Sequence, residues 1–84
     1  NDADAYMNRG IFLYNINRSQ EALADFNKAI EINPDFAMAY YNRSFFYKME
    51  NKIKEAYEDA LKAKSIGNLP IDNYIEELQK LMIP

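Results

Sequence analysis

Residues 3–36 laid over residues 37–70 repeat without a gap. At this offset of 34 the pairs Ala3/Ala37, Ala5/Ala39, Tyr6/Tyr40, Asn8/Asn42, Arg9/Arg43, Phe12/Phe46 and Asn17/Asn51 are identical. So are Glu21/Glu55, Ala22/Ala56, Asp25/Asp59, Lys28/Lys62, Ala29/Ala63 and Ile32/Ile66. About two identities would arise by chance, so the period marks a structural unit that stacks on its neighbour. A chain of 84 residues is at most one ordinary domain, here 1–84. It divides into units 3–36 and 37–70 and a closing segment 71–83.

Each unit reads as two helices. The first spans 3–15 and ends in the polar run Asn15-Ile16-Asn17-Arg18-Ser19. Ser19 is the expected N-cap of a second helix over 20–32, with Glu21 in the dipole-favoured first turn. Asn33-Pro34 stops it, with Asn33 as a left-handed C′ residue. Asp35 is the expected N-cap of a third helix over 36–49. A fourth over 52–66 ends at Gly67 as its C′ residue. Ile71, Tyr74, Ile75, Leu78, Leu81 and Met82 recur at helical spacing and form the apolar face of a fifth helix over 71–82. Tyr74 follows Tyr40 by the same 34 residues that separate Tyr40 from Tyr6. The fifth helix is therefore a degenerate first helix of a third unit, its outer face made polar by Glu76, Glu77, Gln79 and Lys80. The fold class is all-α.

Composition narrows the chemistry. With no Cys and no His, disulfides, thiolate or imidazole metal sites and Ser–His or Cys–His catalysis are excluded. A net charge of −3 gives no basic face for nucleic acid. No apolar run approaches the roughly 20 residues of a membrane span, and no signal-peptide pattern is visible. The expectation is a cytoplasmic, non-enzymatic chain with no cofactor, no nucleic-acid partner and no membrane partner. Asn1 stands where Met would, which points to a segment of something longer. Asp25 and Asp59, beside Lys28 and Lys62, read as a solvated charged face rather than acid–base groups. The sequons Asn17-Arg18-Ser19 and Asn42-Arg43-Ser44 read as chance.

The first unit carries Tyr6, Arg9, Gly10, Leu13, Ala22, Phe26, Ala29 and Pro34. The second carries Tyr40, Arg43, Ser44, Tyr47, Ala56, Ala60 and Ala63 in register. A 34-residue helix–turn–helix unit with this signature resembles the tetratricopeptide repeat family. The departures are Ala60, where the family has an aromatic, and Asn68, where it has Pro. The resemblance implies an α–α superhelix of stacked antiparallel hairpins, here five helices. Small residues let the helices approach. Tyr6, Phe12, Leu13, Leu23, Phe26, Ile30, Tyr40, Phe46, Tyr47, Ile53, Tyr57 and Ile66 fill the space between them.

In that family the first helices line a concave groove. The resemblance places Asp4, Met7, Asn8, Ile11, Tyr14 and Asn15 there from the first unit. From the second it places Met38, Tyr41, Asn42, Phe45, Lys48 and Met49, and from the closing helix Ile75, Gln79 and Met82. First helices that are apolar nearly all round are either buried or carry a binding surface. The expected function is a protein–protein interaction module. Its partner, a protein or peptide segment, would bury apolar side chains on Met7, Ile11, Tyr14, Tyr41 and Phe45 and bond its backbone to Asn8 and Asn42. The alternatives are a structural segment of a longer array and a self-associating unit. Some family members clamp a C-terminal carboxylate, but only Asn42 matches that set. Met7 and Ile11 replace its Lys and Asn, and Ile75 and Gln79 stand where its third-unit cations would be.

Overall fold

The structure is a computed structural model that describes residues 2–83. The ends of the expected domain, residues 1 and 84, lie outside the described residues. Five helices follow in order: α1 (Asp2–Asn15), α2 (Ser19–Ile32), α3 (Ala37–Met49), α4 (Ile53–Gly67) and α5 (Asp72–Met82). α1 packs on α2 and α3 on α4 as hairpins; α2 meets α3, and α5 closes on α4. The result is a slab of 37 × 28 × 16 Å, a shape that stacking hairpins side by side dictates.

The helix ends depart from the sequence reading in an instructive way. Ser19 caps nothing: it is the first residue of α2, and Arg18 precedes it without a side-chain cap bond. Asp35 likewise makes no cap, since Phe36 precedes α3. Asn33 is extended, with φ −132°. Its Oδ1 accepts the Asp35 N–H at 3.2 Å, closing a local turn. Gly67 lies inside α4, and Asn68 takes the left-handed position, φ 50°.

Among the described residues, the left-handed ones are Asn17, Asn51 and Asn68. At the first, the Asn17 N–H bonds the Tyr14 carbonyl (3.0 Å) and the Arg18 N–H reaches back to Leu13 (2.8 Å). Asn51 and Lys52 repeat both bonds to Lys48 and Tyr47, at 3.0 and 2.8 Å. This is the Schellman closure, and Asn meets its positive φ better than any residue but Gly. The repeated Asn17/Asn51 pair therefore records a backbone requirement.

Small residues set the helix spacing. A Cβ on Gly10 would lie 2.8 Å from the Phe26 ring, and one on Gly67 only 2.3 Å from the Ala37 Cβ. Leu13, Ala22, Phe26 and Phe46 form one buried cluster, and Ala56, Ala60, Ile75 and Leu78 a second. Tyr47 packs against both. Phe46 meets Tyr14, Phe26 and Tyr47 edge to face at 5.9, 6.4 and 5.7 Å.

Three expectations are corrected here. Phe12 is not core: it is 60% exposed, whereas its repeat mate Phe46 is 3% exposed. Leu81 and Met82 are exposed at the end of α5. Asp25 and Asp59 are not a solvated face. They are buried, and each accepts two hydrogen bonds from an arginine of its own hairpin, Arg9 (2.6 and 2.7 Å) and Arg43 (2.7 and 2.8 Å). Lys28 pairs with Glu31 instead. A planar guanidinium facing a carboxylate is the geometry that lets a buried charge be satisfied. Every buried side-chain nitrogen and oxygen among the described residues has a partner.

Candidate functional site

Side chains three and four apart on α1 and α3 share a helical face. Ile11, Tyr14 and Asn15 from α1 and Asn42, Phe45 and Phe46 from α3 converge on one hollow, floored by Phe26 of α2. Its volume is about 130 Å³. That is below the roughly 300–1,000 Å³ of small-molecule sites. An apolar space of about 150 Å³ takes one benzene-sized group, so this one has room for a single partner side chain. Ile11 and Phe45 stand exposed at its mouth. No hydrogen bond within the chain engages the Asn42 amide among the described residues.

The remaining expected residues divide. Met7 and Tyr14 are half-buried against the first core cluster. Asn8 is exposed on α1 outside the hollow, and Met38 and Met49 are exposed near the two ends of α3. Tyr41 is half-buried and meets Tyr74 of α5 edge to face at 5.4 Å. Lys48 forms an ion pair with Glu77 and lies 5.7 Å from the Tyr74 ring centre. Ile75, expected in the groove, is buried in the second core cluster. It takes that place because α5 turns its Ile75–Leu78 face onto Ala56 and Ala60.

The hollow between α1 and α3 is open, whereas Tyr41 of α3 is met by the Tyr74 ring of α5. Tyr74 is held from beneath. Ser44 donates its only hydroxyl hydrogen to the Ala56 carbonyl at 2.6 Å, so the Tyr74 hydroxyl donates to Ser44 at 2.9 Å. Burial pushes the Tyr74 phenol above its usual value. The Asp59 carboxylate raises the Arg43 guanidinium, first through its hydrogen bonds.

Sequence reasoning missed the arginine–aspartate pairs that link α1 to α2 and α3 to α4. The signal was present: Arg9/Arg43 and Asp25/Asp59 are charged residues repeated identically at the 34-residue period.

Tetratricopeptide repeat models match residues 3–36 and 26–62, together more than half of the chain. The chain belongs to the tetratricopeptide repeat family. A peroxisomal targeting signal receptor of Eremothecium gossypii is 33% identical over 98% of the chain. Hsp70-Hsp90 organizing protein 3 of Arabidopsis thaliana is 35% identical over 74% of it. A UDP-N-acetylglucosamine–peptide N-acetylglucosaminyltransferase of Giardia intestinalis is 32% identical over 88%. The chain spans only 17%, 12% and 5% of these relatives, respectively. Its place in the family makes it a helical-repeat module of the protein–protein interaction type, a class generally without catalytic activity. No described helix is long and apolar enough to cross a membrane.

Proposed function

We propose that the chain binds a protein segment in the open hollow between α1 and α3, seating one apolar side chain between Ile11, Tyr14 and Phe45. The observation that carries this is the hollow of about 130 Å³ with Asn42 on its wall. An amide both donates and accepts, so Asn42 and the neighbouring Asn15 suit the backbone of a bound segment. The Lys48 ammonium is engaged by Glu77, so the segment is recognised through an internal apolar residue rather than a terminal carboxylate. Two of the relatives are named a peroxisomal targeting signal receptor and an Hsp70-Hsp90 organizing protein. That supports a peptide-like ligand here.

The test is a peptide array scanned with the chain, then titration of the best sequence. Replacing its apolar anchor by Ala should abolish binding, as should Phe45→Ala in the protein. Binding that survives both changes would refute the proposal. A second reading, self-association through exposed Met38, Phe45 and Met49, predicts a mass that rises with concentration in light scattering and falls to the monomer with Phe45→Ala.

A further inference from the structure

The sequence holds four Met and no Cys, so its oxidisable sulfur is thioether alone. The fold sorts the four by access. Met7 is half-buried against the core cluster of Leu13, Ala22, Phe26 and Phe46. Met38 is 43% exposed, Met49 54% and Met82 44%. Two of these exposed three share one line on α3. Met38 stands four residues before Asn42, and Met49 four residues after Phe45. Side chains three and four apart lie one above the other on a helix, so the order along this face is Met38, Asn42, Phe45, Met49. Asn42 and Phe45 line the hollow between α1 and α3. The two thioethers therefore flank it along the helix, about 16 Å apart at roughly 1.5 Å per residue. Met82 is on α5, which does not line the hollow.

We propose that Met38 and Met49 form a redox-sensitive rim: a hydroperoxide oxidises both to the sulfoxide, and the hollow then loses its hold on a bound segment. This rests on the reading of the hollow as a binding site given above. In the step, the thioether sulfur attacks one oxygen of hydrogen peroxide. An S–O bond forms, the O–O bond breaks, and the leaving hydroxide takes the proton from the transferred oxygen to give water. Sulfur is oxidised by two electrons and the peroxide is reduced. The product puts a polar group where a flexible apolar side chain stood. Its oxygen keeps its water while the hollow is empty. It loses that water when an apolar segment is laid over the rim, a desolvation that only a new hydrogen bond offsets. Both positions are exposed in the free chain, so the change bears on the bound state rather than on the fold. Sulfoxide reductases reverse it, one enzyme for each epimer.

The test treats the chain with dilute hydrogen peroxide, removes the peroxide and follows each Met by peptide mass spectrometry. The same samples are titrated with the best peptide from the array, chosen free of Met. Met38 and Met49 should each gain one oxygen well before Met7 does. Affinity should then fall about tenfold or more, while the melting temperature holds, as for a surface change. The two reductases with dithiothreitol should restore binding. Met38→Leu combined with Met49→Leu, a swap close in volume, should bind before treatment and keep its affinity afterwards, although Met82 is oxidised. Oxidation of Met7 as fast as Met49 overturns the proposal, as does unchanged affinity in a chain oxidised at both rim positions. An equal loss of binding in the double variant overturns it too. An untreated chain that binds no peptide on the array overturns the reading of the hollow and this proposal with it, an outcome told apart because it needs no peroxide.

Discussion

Arg43 and Asp59 show how one residue pair can be both structural and exposed to error. Asp59 is buried, and the Arg43 side chain is only 20% exposed. Removing the carboxylate leaves a guanidinium that water reaches poorly, so Asp59→Ala should cost about 3 kcal/mol in urea denaturation. Asp25→Ala should cost clearly less, because the Arg9 side chain is 63% exposed and returns to solvent. Equal losses would contradict the difference in exposure. Tyr74 supplies a pH test. Its folded phenol is raised above the ordinary value near 10 by burial. A raised value means that the neutral form is favoured in the fold. Its contribution is then complete below about pH 10 and is lost as pH climbs through the folded value. Thermal melts should fall more steeply above pH 10 for the wild type than for Tyr74→Phe. At this scale the sequence was legible in pattern but not in role. The identity of Asp25 with Asp59 was plain, yet helix spacing alone offered Lys28 and Lys62 as partners. Only the hairpin, which brings α1 over α2, puts Arg9 within reach.

At the scale of the element, the five helices were readable from periodicity, and their caps were not. Apolar spacing is a property of many residues together, so an error at one position does not move the helix. A cap rests on one residue's φ and ψ. Ser19, Asn33 and Asp35 are cap residues by type alone, while the chain places its left-handed turns at Asn17, Asn51 and Asn68. Gly67 has the residue type of a helix terminator, yet it lies inside α4, where its missing Cβ allows the close approach of Ala37. Gly67→Ala should therefore destabilise by about 1–3 kcal/mol despite the better helix propensity of Ala, because two Cβ atoms would stand 2.3 Å apart. A neutral result in chemical denaturation would show that the junction relaxes freely. Helix α5 carries a larger share. Its removal exposes Ala56, Ala60, Tyr57 and Tyr41 and deletes the buried Ile75 and Leu78. Burial of each of those two side chains is worth about 1.5–3 kcal/mol, against a total of roughly 5–10 for a chain of this size. The chain lacking residues 71–84 should be largely unfolded or aggregated at 25 °C by circular dichroism. An unchanged melting curve would mean that the two hairpins stand alone. Phe46 is not among the residues uncovered, since it belongs to the cluster between α1, α2 and α3.

At the scale of the whole molecule, the expected groove is legible as a stripe, but its division between an open hollow and the Tyr41–Tyr74 contact is not. Register put Tyr41, Phe45 and Lys48 on one surface. It could not say that α5 would lean across part of it, because that depends on where Ile75 and Leu78 find a core. The consequence is a sorting of mutants along a single helix. Phe45 is exposed and lines the open hollow, so Phe45→Ala removes mainly surface that the proposed partner would cover. Its melting temperature should hold within about 2 °C, in line with a surface substitution. Affinity for a bound segment should drop by about 2 kcal/mol or more, the usual mark of an aromatic anchor. Tyr41 sits four residues earlier on the same face but leans on Tyr74 at 5.4 Å. An edge-to-face pair contributes about 0.5–1.5 kcal/mol beyond area burial, so Tyr41→Ala should lower stability and loosen α5. Phe46→Ala, one residue from Phe45 and 3% exposed, should cost about 3–5 kcal/mol of folding. Three neighbouring aromatic rings thus give three outcomes: lost binding, a loosened cap and a lost core. Thermal melting and a binding titration on the three variants distinguish them. If Phe45→Ala unfolds the chain as Phe46→Ala does, the hollow is core. If Tyr41→Ala leaves both stability and α5 protection unchanged, Tyr74 is held by Ser44 alone, and Tyr41 is free to meet a partner.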